Sequence, residues 1–295
     1  MDYTLYVGDY AYSSWSLRGW LLLDAFGMPF TTRYAHMKTE AFEALKAEMV
    51  PSRLVPALSI SDGTRAPVVV WDSLAMAETL HEYHPQAGYW PKGASARPTA
   101  RSIAAEMHSG FTALRGACPM NMRQAYDGFE VSADVQADLD RLSLVWAHAR
   151  ARRTEDGPFL FGAFSAVDAF FGPVASRIAT YGLQMGEEDL AYVASVLGHA
   201  SVRRWRAMGI ADAHVQAHYE FEYAARPNPH EPEVTGKVVH SVEAENTHCP
   251  FSGNDVSSDG LVEVQGRVIG FCNPFCRDKV AADPFCWPEV AAMLR

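Results

Sequence analysis

Cys249, Cys272 and Cys276 are the densest set of candidate ligands in this 295-residue chain, with the spacing C-x22-C-x3-C. Cys272 and Cys276 meet across one helical turn and Cys249 arrives from a separate knuckle, so three thiolates could close on one soft or borderline cation. A closed structural site normally has four ligands. His248 adjoins Cys249 and would strain to share its ion, which leaves Cys286 as the freer candidate. Without a metal the same residues would be reduced thiols. Five cysteines is an odd number and four of them fall in the last 47 residues, so free thiols or metal ligands are expected rather than a disulfide framework.

A second set lies at the other end. Tyr12-Ser13-Ser14-Trp15-Ser16-Leu17-Arg18 stands where a strand hands over to a helix. Hydroxyls there can cap the helix or, beside unpaired N–H groups and the positive helix end, stabilise an anion such as a thiolate. Val55-Pro56 puts proline at the entry to a strand. A cis peptide there would expose the Val55 backbone for pairing with an extended peptide. Asp72-Ser73 opens another helix. Its N–H groups and the Ser73 hydroxyl suit a carboxylate, and Asp72 suits an ammonium. Together these groups describe a site for a short zwitterionic peptide ending in a thiol.

The elements that must hold them follow from periodicity. Residues 3–7 alternate as a strand, and a helical stripe of Leu17, Trp20, Leu21 and Ala25 ends at Gly27 and Pro29. Strands are predicted over 30–34, 54–60 and 68–71, the last two separated by Asp62-Gly63, and helices over 40–47 and 73–83. The order β-α-β-α-β-β-α makes residues 1–85 a small α/β domain. A Pro/Gly-rich linker leads to residues 98–225, which carry helical periodicity and no strand. Within them Ser165 and Asp168 form a capping box ahead of an apolar helix over 169–179. A proline-rich linker over 226–245 precedes a small Cys-rich module, 246–295, with a hairpin about Gln265-Gly266 and a short helix near Cys276.

The first 222 residues resemble the glutathione S-transferase family, and Ser13-Ser14-Trp15-Ser16-Leu17-Arg18 resembles the serine motif of its zeta-type members. The resemblance implies an α/β thioredoxin-like N-terminal domain followed by an all-α C-terminal domain. It implies bound glutathione, thiolate activation by a serine hydroxyl, attack on a small electrophile, and a homodimer. By the match Ser13 takes the activating position with Ser14 its rival, Val55-Pro56 matches the cis-proline, and Asp72-Ser73 matches the acidic-Ser motif. Trp15 replaces the zeta cysteine and Gly19-Trp20 a Val-Arg pair. The first departure rules out cysteine-based thiol transfer from this loop, and the second weakens the alternative of a maleylacetoacetate isomerase-like cis-trans isomerase. The second domain would supply the electrophile pocket, where His108, Arg115 and Arg123 could orient an acidic substrate. The tail, over about 246–285, resembles TRASH/YHS-like metal-binding modules, which implies a treble-clef-like fold holding zinc or another soft metal ion. A metal-binding or sensing adaptor on a transferase scaffold is the further alternative.

Charge narrows the partners. The net charge is −10, and residues 226–295 hold ten acidic and six basic side chains, so neither part offers a nucleic-acid surface. No apolar run approaches the ~20 residues that span a bilayer, and the N-terminal residues lack a signal-peptide pattern. The expectation is a cytoplasmic protein with no membrane partner.

Overall fold

The structure, a computed structural model, describes residues 1–295. Its first part runs β1 (Asp2–Val7), α1 (Ser14–Asp24), β2 (Thr31–Tyr34), α2 (Glu40–Glu48), β3 (Ala57–Ser61), β4 (Val68–Trp71) and α3 (Ser73–Tyr83). The sheet order is β2-β1-β3-β4. β1 is parallel to β2 and antiparallel to β3, with Leu5 facing Leu58, and β4 closes the edge antiparallel to β3. The parallel pair requires a crossover, which α1 supplies. Tyr3, Leu5 and Val7 are all buried, on one face of β1 by the period of two. The predicted third strand starts three residues late, at Ala57, because Pro56 has no N–H for the ladder.

The second part is helical: α4 (Ala96–Ser109), α5 (Thr112–Ala117), α6 (Ala133–Arg150), α7 (Ala166–Tyr181), α8 (Glu187–Gly198) and α9 (Ala200–Ala211). Sequence reading missed one short pairing, β5 (Tyr126–Asp127) with β6 (Ala224–Ala225), too brief for a periodic signal. Every residue of α7 is buried. It lies against α1, and Gly172 makes room there: a Cβ would stand 3.0 Å from Leu21 Cδ1. Asp168 reaches back to the start of the helix, accepting from the Ser165 amide at 2.8 Å and the Ser165 hydroxyl at 3.0 Å.

The tail folds as β7 (Lys237–Val238), β8 (Leu261–Val264), β9 (Arg267–Gly270), α10 (Pro274–Ala282) and α11 (Pro288–Met293). Gln265 and Gly266, with φ of 51° and 82°, form the two-residue turn between β8 and β9, and positive φ at both positions gives the twist a hairpin needs. β7 lies within the segment read as linker and pairs with β8. Gly236 permits this approach, since a Cβ would come within 2.6 Å of Val262 Cγ2 and 3.0 Å of Ala281 Cα.

α10 packs on α9. Arg203 grips the buried Asp283 through two bonds of 2.7 and 2.8 Å, and Arg204 ties the Cys286 carbonyl to Asp24 at the end of α1. One hydrophobic cluster of 63 buried residues runs through all three parts, so the tail is joined to the body rather than tethered to it. No helix is long and apolar enough to cross a membrane.

Candidate active site and thiol cluster

The cleft is built at the start of α1. Ser13 is the N-cap: its Oγ accepts from the Ser16 amide at 3.3 Å and donates to Ser16 Oγ at 2.8 Å. Its hydrogen bonds are thus used locally. Ser14 Oγ accepts from Arg177 Nη2 at 3.0 Å and has no protein acceptor for its own proton. Both serines line a cavity of about 810 Å³ together with Val55, Pro56, Asp72 and Arg115. A volume of this size suits a small-molecule cleft, where ~300–1,000 Å³ is usual.

The Val55–Pro56 peptide is cis, and Val55 uses neither its N–H nor its C=O inside the chain. Pro56 packs on Gly19, where a Cβ would meet Pro56 Cβ at 2.6 Å and Cγ at 2.9 Å. The glycine that departs from the zeta pattern is therefore the residue that admits the proline ring. Asp72 caps α3, with Oδ1 accepting from the Leu74 amide at 2.8 Å and Oδ2 facing His108 Nε2 at 3.1 Å. Its φ of 70° is unusual for a side-chain-bearing residue, a cost of order 1–3 kcal/mol that concentrates at functional sites. Ser73 is wholly buried behind it, and its Oγ has no hydrogen-bond partner.

Ser73 and His108 do not line the cavity. His108 stands behind Asp72, and burial, aided by Arg18 and Arg115 against the pull of Asp72, lowers its pKa and leaves the ring neutral at pH 7. Arg115 is on the wall, with its Cζ over Trp15 at 4.6 Å from the ring centroid. Arg123 instead ties the end of α9 to the first domain, donating to the carbonyls of Gly209, Asp212 and His214 and to Tyr12 Oη. Sequence reading passed over Lys38, Trp71 and Arg177, which also line the cavity. Arg177 had a signal: it is the one basic residue in the apolar stretch of α7.

The tail brings Cys249, Cys272 and Cys276 together, their sulfurs all within 4.8 Å of one another. Around a tetrahedral zinc at ~2.3 Å from each sulfur, the sulfurs stand about 3.8 Å apart, so a small closure would fit the ion. Burial alone would raise the Cys249 pKa, but the amides of Cys272, Phe251 and Ser252 and the Ser252 hydroxyl bring it down to about 7. Burial pushes Cys276 up to about 11. Ser252 Oγ and Asn273 Nδ2 each donate to Cys272 Sγ at 3.3 Å. His248 and Cys286 lie outside the group: His248 faces Asp255, and the Cys286 thiol donates to the Asp283 carbonyl. Lys279 lies over the rings of Phe251 and Trp287, where burial lowers its pKa and the neighbouring Cys276 and Cys249, when ionised, oppose that shift.

Residues 12–82 match the family described as glutathione S-transferase, N-terminal domain. A glutathione transferase homolog from Burkholderia gl BGR1, solved with bound glutathione, superposes with a TM-score of 0.51 at 22% identity, over 70% of this chain and 96% of that one. Glutathione transferase Omega 1C from Trametes versicolor gives 0.53 at 16% identity, over 69% and 90%. Maleylacetoacetate isomerase from Anaeromyxobacter dehalogenans 2CP-1, solved with dicarboxyethyl glutathione and citrate in its active site, gives 0.51 at 21% identity, over 72% and 98%. No curated protein matches the chain in sequence. At these identities the likeness is one of fold, and the fold is that of the glutathione transferases: a thioredoxin-like domain followed by a helical one.

Proposed function

We propose that the chain is a glutathione S-transferase that activates the glutathione thiol with a serine hydroxyl for attack on a small electrophile. The carrying observation is that Ser13, Ser14, the cis Val55–Pro56 pair and Asp72 line one cavity. The free Val55 N–H and C=O suit an extended peptide, and the Asp72 carboxylate suits its ammonium group. Ser73, fully buried behind Asp72 and outside the cavity, takes no direct part in this reading. Glutathione supplies the thiolate, and the chain supplies a hydroxyl proton beside it. Of the two serines, Ser14 is the better donor, because Arg177 fills its acceptor side and leaves its proton free, whereas Ser13 caps α1. Exposed Val68 on the edge strand β4 leaves apolar surface for a second copy, in keeping with a homodimer.

The test is retention on immobilised glutathione and conjugation of a generic electrophile. Ser14→Ala should lower kcat about 100-fold, the scale for losing one donor to a developing or bound anion. Ser13→Ala should act mainly through the lost cap, at about 1 kcal/mol of stability. Neither retention nor conjugation, or an unaffected Ser14→Ala, would sink the reading.

The tail supports a second role, a metal site held by Cys249, Cys272 and Cys276. Three thiolates and a divalent cation leave one negative charge, and Lys279 sits where it offsets it. Elemental analysis of protein purified from zinc-replete medium should give about one metal per chain, and none would remove this reading.

A further inference from the structure

Most arginines of this acidic chain stand against carboxylates: Arg33 on Glu48, Arg101 on Glu78, Arg141 on Glu106, Arg203 on Asp283. Arg18, Arg115 and Arg177 do not, and none of them is in an ion pair. Arg18 is 1% exposed and Arg177 4%. Burying a guanidinium without a counter-charge is strongly unfavourable. The three also oppose one another. Burial first, then Arg177 and Arg115, hold the Arg18 pKa down to about 9. Burial first, then Arg115, hold Arg177 at about 10. Each stays charged at neutral pH. Arg18 Nε and Nη1 have no hydrogen bond at all. The one carboxylate that offsets Arg18, Asp72, is turned to the Leu74 amide and His108.

This charge faces the cavity. Arg177 is fixed by the Cys118 and Pro173 carbonyls and Ser14 Oγ, which uses three of its five donors. Arg115 is held through Nη1 alone, on the His108 and Gly110 carbonyls, with its Cζ over the Trp15 ring. Its Nε and Nη2 have no protein partner and are not buried. Arg18 lies behind, with both Trp15 and Phe170 at 5.2 Å. Thiolate stabilisation accounts for Arg177, which touches Ser14. It does not account for Arg115, which bonds neither serine.

We propose that Arg115 and Arg177 form an oxyanion subsite, so that the second substrate is a small organic carboxylate. This rests on the transferase reading for what the bound molecule does, and on the wall itself for its charge. A guanidinium fork matches a carboxylate in shape. A carboxylate here would also relieve the repulsion among three cations.

Isothermal titration of the full chain with a chlorodinitrobenzoate and with the matching chlorodinitrobenzamide tests this, each with and without S-methylglutathione. The two probes share shape and differ in charge. The benzoate should bind at least ~10-fold tighter, or about 1.4 kcal/mol, with a margin that shrinks in salt. Arg115→Gln should bring the two affinities together, and Arg115→Lys, which keeps the charge but not the fork, should retain part of the margin. Circular dichroism checks that both variants fold. Equal affinities in the unaltered chain, binding of neither probe, or a benzoate preference that survives Arg115→Gln would overturn the proposal. S-methylglutathione is measured in the same cell. Its failure to bind beside a preserved benzoate preference would remove the transferase reading and leave the subsite standing.

Discussion

The cleft at the start of α1 takes Ser14, Pro56 and Asp72 from the first domain and Arg115 and Arg177 from the second, while the thiol cluster takes its sulfurs from one knuckle and one helix start. The cleft holds positive charge on carbonyl oxygens, at Cys118, Pro173, His108 and Gly110. The cluster holds sulfur on donors, from backbone amides to Ser252 and Asn273. The first site exists only when two domains dock, because Arg177 reaches Ser14 from α7. The second draws all its sulfurs from the tail, whose helix packs on α9. The largest expected effect follows from that difference. Replacing Cys272 and Cys276 together with Ala should take bound metal from about one per chain to none, by elemental analysis, while retention on immobilised glutathione persists. If retention is lost with the metal, the tail and the cleft are one cooperative unit, and the shared hydrophobic cluster would be the reason.

A smaller effect tests the head of α7, the helix that carries Arg177 to the cleft. Asp168 is fully buried at the head of α7, and burial raises its pKa to about 6 from 3.8, against the bonds from Ser165, Tyr192 and Leu160. The folded chain therefore binds this proton more tightly than the unfolded chain. The stability it contributes is complete below about pH 4 and is lost as pH rises through 6. A shift of about two units corresponds to about 3 kcal/mol. Urea unfolding of the unaltered chain and of Asp168→Asn, at pH 4 and at pH 7, should show their difference shrinking by that amount as pH rises. A difference independent of pH would mean that Asp168 is ionised throughout, held by its four donors.

How far each region could be read from sequence follows the same divide. The thiol spacing, the Gln265-Gly266 turn and the helix after Asn273 are local patterns, and each stands within a few residues of where periodicity and turn chemistry put it. Ser13, Ser14, Pro56 and Asp72 were legible for the same reason, as turn and cap residues at element ends. Which serine keeps a free proton was not, because the answer comes from Arg177, far along the chain. His108 read as a substrate ligand and stands behind Asp72 instead, since its placement depends on how α4 docks against α3. The linker over 226–245 hid β7, whose two residues pair with β8 without a periodic signal of their own. A charge inside an apolar helix is the one long-range clue the sequence did carry, at Arg177.

Gly19→Ala should have the smallest effect and the most selective. In α1 the change gains helix propensity of at most about 1 kcal/mol. Against this, the new Cβ would stand 2.6 Å from Pro56 Cβ and 2.9 Å from Cγ, with Met76 Cε at 3.3 Å. Met76 can swing away, but the proline ring cannot, and overpacking of this kind costs about 1–3 kcal/mol. The net loss should be about 1 kcal/mol by urea unfolding. The displaced atoms belong to the Val55–Pro56 wall of the cleft, so glutathione retention should weaken more than stability does, while metal content stays at the unaltered value. Loss of metal alongside retention would show that strain in α1 reaches the tail, through the shared hydrophobic cluster and the Asp24–Arg204–Cys286 link.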